Sequence, residues 1–172
     1  LEFRRVLFRS LDAEELKQRF YALSRQWHPD RFARAGEAEK QKALDMTSLL
    51  NDAFRTLKDP ITRAEYVLEE NGMGPAKSAP PELLEEVFEL NMALDELRDD
   101  DESVRGQLTD ARARFVGMRE EIDARVAEMF AKYDAAPSQE AAKEVLSGIR
   151  AALDRRRYIS NLVRDVDKEL NK

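Results

Sequence analysis

A chain of 172 residues is long enough for one ordinary domain or two small ones. Charged residues make up 37% and hydrophobic residues 42%, a mixture typical of helical globular proteins, and no apolar run approaches the roughly 20 residues a membrane span needs. The net charge of −6 gives no global support for binding nucleic acid or an anionic membrane, and zero Cys with one His removes disulfides, thiolate chemistry and an ordinary structural zinc site.

The first ten residues, LEFRRVLFRS, hold three Arg and one acid and match no later pattern. They read as a foreign segment joined to the rest, with an Arg-rich targeting peptide as the alternative. From Leu11 the pattern is helical. Ser10 or Asp12 is a candidate N-cap, and acids follow in the first turn. Leu16, Phe20, Leu23 and Trp27 recur at steps of four, three and four, which draws one apolar stripe on a helix. Lys17, Arg19 and Arg25 are expected on the opposite face. Pro29 ends this helix and pushes His28 out of the α region. His28-Pro29-Asp30 therefore belongs to a loop, with Asp30 expected to bond to nearby backbone and stabilise the turn.

A second helix is expected from near Glu37 to Lys58-Asp59-Pro60, with Ala43, Met46, Leu50, Ala53 and Leu57 on one face. A short third follows, with Ile61, Ala64, Tyr66, Val67 and Leu68, and stops at Asn71-Gly72. The stretch NGMGPAKSAPP, residues 71 to 81, then breaks the pattern with Gly and Pro and reads as a domain boundary. The chain thus divides into residues 1–10, a first domain at 11–72, a linker at 73–81 and a second domain at 82–172.

The second domain reads as three long helices in an elongated bundle. The first, from Pro81 to Leu97, carries a core stripe of Leu83, Val87, Leu90, Leu94 and Leu97. A second stripe, Leu84, Phe88 and Met92, runs beside it, flanked by Glu85 and Glu89. One helix cannot turn both stripes wholly into one small bundle, so the second reads as a partner surface, with a wide core stripe as the alternative. The next helix runs from about Ser103 to Tyr133 through Val104, Leu108, Ala111, Phe115, Met118, Ile122, Val126 and Met129. The last begins after Pro137-Ser138 and reaches Leu170 through Val145, Ile149, Ala152, Ile159, Val163 and Val166. Tyr158 falls off that stripe, which favours exposure. No sustained period-two alternation suggests strands.

His28 has no second His, nucleophile elbow or phosphate loop to work with, so enzyme chemistry has little footing. On the residues alone it is a recognition residue or a loop histidine without a role. The basic residues near it are an electrostatic docking face or a merely solvated one.

The arrangement resembles the J-domain of Hsp70 co-chaperones. The residues that carry this are LKQRFYALSRQWHPDRF and, downstream, LLNDAFRTLKDPITRAEYVL. RAEYVL, then NG, then LLEEVFELNMALDEL is similar to the HscB-type family, the J-type co-chaperones of iron–sulfur cluster assembly. The resemblance covers about Leu11 to Leu170 and is strongest through residue 97. It implies a non-enzymatic, all-α protein that stimulates ATP hydrolysis by an HscA-like Hsp70 and brings it an IscU-like scaffold protein. By resemblance His28, Pro29 and Asp30 engage the Hsp70, with Lys17, Arg19, Arg25 and Arg31 supplying docking charge. Leu84, Phe88, Glu89, Met92 and Tyr158 fall at the scaffold-binding positions. No cofactor, metal, nucleic acid or membrane is implied, and a bacterial-type, cytoplasmic member is expected. A helical adaptor or a general J-protein is the alternative. LEFRRVLFRS stands where the family has a short first helix. Phe20, Leu23 and Leu50 therefore lack cover unless Phe3, Val6, Leu7 and Phe8 supply it.

Overall fold

The computed structural model describes residues 11–76, 81–99 and 101–172. Every regular element among them is helical. In order they are α1 (Ala13–Gln26), a 3-10 turn at Pro29–Phe32, α2 (Glu37–Lys58) and α3 (Pro60–Glu70). A 3-10 turn at Pro81–Leu83, α4 (Leu84–Arg98), a 3-10 turn at Glu102–Val104, α5 (Arg105–Asp134) and α6 (Gln139–Leu170) follow. The all-α class is as the sequence suggests. By packing, the chain divides into two compact units, residues 1–67 and 68–172. That division falls inside α3, ahead of the Asn71-Gly72 turn. The foreign reading of residues 1–10, and any cover they give the hairpin, lie outside the described residues, as do residues 77–80 of the expected linker.

In the first unit Asp12 is the N-cap of α1: its Oδ1 accepts from the N–H groups of Glu14 (2.8 Å) and Glu15 (3.3 Å). At the start of α2 the Glu39 carboxylate reaches back to accept from Gly36 N–H at 3.3 Å, half of a capping box. The two helices pair as a hairpin, with the Phe20 and Phe54 rings stacked 4.3 Å apart. Ala43 is buried, and Met46, Leu50 and Leu57 are half-buried on this face. Ala53, expected here, is exposed, and Phe54 takes the inward place. Both lie within about 60° of Leu50 around the helix, on opposite sides. The larger ring gains more by burial and by stacking on Phe20, so the helix turns that way. No residue of α1 is fully buried, and Leu23 remains 40% exposed.

Asp59 both ends α2 and starts α3, because its Oδ1 accepts from Thr62 N–H at 2.8 Å with Pro60 in the first helical position. Ala64, Val67 and Leu68 of α3 are buried, whereas Tyr66, expected among them, is exposed. Gly72, at φ 72°, ends the helix: its N–H donates to Glu69 O (2.9 Å), and Met73 N–H donates to Leu68 O (2.8 Å). That is the Schellman pattern, and the left-handed position suits a residue without a Cβ.

In the second unit α5 and α6, 30 and 32 residues long, run antiparallel for roughly 45 Å. Three links set their register: Arg156 to Asp123, Arg112 to Asp167, and Arg105 to the Leu170 carbonyl. Their shared core holds Leu108, Phe115, Ile122, Val126 and Phe130 against Leu146, Ile149, Leu153, Ile159, Leu162 and Val166. Met118, Met129 and Tyr133, expected in the stripe, are only half-buried at its edge. Val145 and Ala152 are likewise half-buried, because Leu146 and Leu153, one residue on, offer more apolar area to the core. Gly148 marks a close approach: a Cβ there would lie 2.6 Å from the Met129 terminal methyl. Helix α4 packs along both. Glu82 pairs with Arg155 (3.8 Å) and Arg98 with Glu169 (3.3 Å), so α4 runs parallel to α6. Leu83, Leu90, Ala93, Leu94 and Leu97 are buried and Val87 is half-buried, close to the expected stripe.

Candidate functional site

The His28-Pro29-Asp30 segment sits where α1 ends and is held from three directions. Trp27 closes the helix by donating from its N–H to Leu23 O at 3.0 Å. The Trp27 carbonyl then accepts from the Thr47 hydroxyl of α2 at 3.1 Å, which ties the end of α1 to its neighbour. The Trp27 and Phe32 rings stack across the turn, 5.9 Å apart and 9° from parallel, and Lys42 Nζ lies 5.5 Å from the Trp27 ring centre. Pro29 occupies the first position of the 3-10 turn, where a missing N–H costs nothing.

His28 itself is the cap of that turn. Its Nδ1 accepts from Asp30 N–H at 3.3 Å and lies 3.5 Å from Asp30 Oδ2. The expected roles are thus reversed, since the histidine caps and the Asp30 amide is the group satisfied. The proline ring at position 29 fixes φ and brings the amide two residues on within reach of the imidazole. Nε2 has no partner among the described residues and is open to another molecule. The side chains of His28 and Asp30 are 58% and 91% exposed.

The basic residues do not share one face. At 100° per residue Lys17 and Arg25 lie about 80° apart, whereas Arg19 lies about 160° from Lys17. Lys17 and Arg19 flank the apolar stripe, and only Arg25 stands opposite it. Lys17 pairs with Glu14 (3.7 Å) and Arg19 with Glu15 (2.6 Å), as the spacings of three and four allow. Arg31 donates to the Arg25 backbone carbonyl at 3.4 Å, and neither Arg25 nor Arg31 has an acidic partner among the described residues.

On α4 the two stripes separate as expected. Leu84, Phe88 and Met92 are 57%, 67% and 50% exposed, on the side away from buried Leu90, Leu94 and Leu97. Glu85 and Glu89 beside them are exposed too. The wide-core alternative fails, because the core takes Ala93 instead and is filled from α5 and α6. Tyr158 is half-buried, not exposed, since at its place on α6 the start of α4 lies alongside, as the Glu82–Arg155 pair shows.

Thr47 is the residue sequence reasoning missed. It stands in line with Ala43, Leu50 and Phe54, and a hydroxyl inside an apolar stripe is a legible sign of a backbone carbonyl to satisfy. No three of His, Cys, Asp and Glu gather as a metal-ligand set among the described residues. No described helix is long and apolar enough to cross a membrane.

Two family descriptions match the chain in succession: the DnaJ domain over residues 7–66 and the HSCB C-terminal oligomerisation domain over residues 79–167. The chain is similar to a co-chaperone protein HscB homolog of Neisseria meningitidis, 42% identical over 92 residues. That match takes in 51% of this chain and 55% of the relative, so the chain spans about half the length of these relatives. A Vibrio vulnificus HscB homolog is 34% identical over 135 residues, which are 76% of this chain and 72% of the relative. The solved chaperone HscB from Vibrio cholerae superposes with a TM-score of 0.61 at 25% identity, covering 96% of this chain and 95% of that one. The order of the two matched domains is the order of helical hairpin and three-helix bundle along this chain, and the chain belongs to the HscB family of J-domain co-chaperones.

Proposed function

We propose that this protein is a non-enzymatic co-chaperone of iron–sulfur cluster assembly. It stimulates ATP hydrolysis by a specialised Hsp70 and delivers an iron–sulfur scaffold protein to it. His28, Pro29 and Asp30 are the residues the Hsp70 reads. Arg25 and Arg31 steer the encounter, with Lys17 and Arg19 weaker contributors because each already has an acidic neighbour. Leu84, Phe88, Glu89 and Met92, with Tyr158 at the margin, form the scaffold-docking face. Residues 11–72 act on the Hsp70, residues 82–172 hold the scaffold, and residues 73–81 connect them in the cytoplasm. The observation that carries this reading is the self-capped, exposed His28-Pro29-Asp30 turn in a chain of this family. An exposed recognition turn fixed by its own side chain loses little entropy on binding.

The test is steady-state ATP hydrolysis by an HscA-type Hsp70, with and without this protein and an IscU-type scaffold. Stimulation is expected, rising further with scaffold. His28→Gln is expected to remove most of it, about tenfold or more, with the helical spectrum unchanged. Full stimulation by His28→Gln would sink the proposal.

A further inference from the structure

Residues 73–81 look like a linker in sequence, yet their described part is bonded to the bundle. Ala76 N–H donates to both carboxylate oxygens of Asp154 on α6, each at 3.2 Å. Arg157 Nη2 donates to the Ala76 carbonyl at 2.8 Å and to Asp154 Oδ1 at 3.2 Å. Arg150 Nη2 lies 2.9 Å from the same Asp154 oxygen, and the side chains of Arg150 and Asp154 are each only 11% exposed. Both polar groups of the Ala76 peptide are thus gripped by charged side chains of one helix, the strongest class of hydrogen bond available to a backbone. The next residue of that helical turn, Arg155, pairs with Glu82 at 3.8 Å. Beyond Glu82, Leu83 is fully buried and α4 begins without a side-chain cap.

We infer that the α6 turn Asp154–Arg157 is a clamp that fixes where α4 starts, and that Asp154 and Arg157 are positioning residues for the docking face on α4. Four residues separate Ala76 from Pro81, so anchoring one end confines the other to within roughly 18 Å. The local constraints on the start of α4 are the preceding 3-10 turn and its buried Leu83 rather than a side-chain cap, and Leu84, the first residue of the exposed stripe, lies in the first turn. The clamp adds a constraint from outside the helix. Tyr158 follows the clamp directly, so the proposed margin and centre of the docking face are registered by the same turn. A face set in place before binding loses less freedom when a partner arrives. This inference rests on the docking face proposed above.

The experiment is hydrogen exchange of the Ala76 amide, together with the Kd for an IscU-type scaffold, in four proteins. These are the full chain, Asp154→Asn, Arg157→Gln and Phe88→Ala. Arg157→Gln guards against misfolding, because Asp154→Asn removes a charge that pairs with buried Arg150, whereas the Arg157 side chain is half exposed. In the wild-type chain the Ala76 amide is expected to exchange at least about tenfold slower than an open peptide, with most of that protection lost in both clamp variants. The Kd is expected to rise about tenfold in the clamp variants while their melting curves stay cooperative. Ala76 exchange at the open rate in the wild type would overturn the clamp. Lost protection with unchanged Kd, while Phe88→Ala still weakens binding, would overturn the positioning role and leave the docking face standing. An unchanged Kd in Phe88→Ala would overturn the docking face, and with it the positioning role, while the exchange result would still decide the clamp.

Discussion

Thr47 shows how a single hydroxyl can bear on a turn it does not belong to. Its Oγ1 lies 3.1 Å from the Trp27 carbonyl and 2.8 Å from the Ala43 carbonyl, so its single proton is shared between the C-cap of α1 and the preceding turn of its own helix, α2. Valine has the same shape without the donor. Thr47→Val is expected to destabilise the first unit by about 1 kcal/mol, the net worth of one hydrogen bond. Because the lost bond holds the residue just before His28, Hsp70 stimulation is expected to fall more than stability does. Urea unfolding and the ATPase assay, run on the same sample, separate the two. A proportional loss in both would assign Thr47 to stability alone. The exposed turn at His28-Pro29-Asp30 was legible from the tripeptide and its setting. That His28 caps its own turn was not, because the bond depends on backbone angles that proline restricts but does not complete.

At the scale of the element, α4 carries two stripes with opposite fates. Leu90 is almost fully buried between α5 and α6, whereas Phe88, two residues earlier, is 67% exposed. Leu90→Ala is expected to cost about 2–5 kcal/mol through lost transfer energy and the cavity left behind. Phe88→Ala is expected to change stability by less than about 1 kcal/mol, as most of its ring already meets water. Thermal melts of the two variants check this, and a large loss in Phe88→Ala would return that ring to the core. Both stripes could be drawn from the spacing of Leu83, Leu84, Phe88 and Leu90. For the last helix the stripe was misplaced at Val145 and Ala152, because over 32 residues several nearly parallel stripes fit the period. Only the partner helix selects among them. The choice of Phe54 over Ala53 on α2 has the same origin, since it is the Phe20 ring opposite that decides.

At the scale of the whole chain, charge patterning ties the ends of the bundle together. Glu169 is buried near the end of α6, where Lys172 (2.6 Å) and Arg98 (3.3 Å) donate to it. The Lys172 bond above all, with Arg98 adding to it against the penalty of burial, holds its carboxyl below the ordinary carboxylate value. Glu102 is lowered chiefly by its hydrogen bond from Arg105, and Asp101 by its bonds with Ser103. A depressed folded-state value contributes stability that is present above the unfolded value and is lost as pH falls through the folded one. The melting temperature is therefore expected to hold at neutral pH and to fall as the solution is taken from about pH 4.5 toward pH 3. Glu169→Gln should flatten part of that fall, and a parallel acid profile in the variant would show that Glu169 does not contribute. Helix number, helix ends and the placing of the His28-Pro29-Asp30 turn were determined by the sequence itself. They follow from local chemistry: proline geometry, caps such as Asp12 and Ser138, whose Oγ accepts from Ala141 N–H at 3.2 Å, and the 3.6-residue period. The grip of Asp154 and Arg157 on Ala76 and the half-burial of Tyr158 were decided only in the tertiary structure. Each depends on groups that are distant along the chain, or on which side of a helix its neighbours occupy, and no local pattern encodes that.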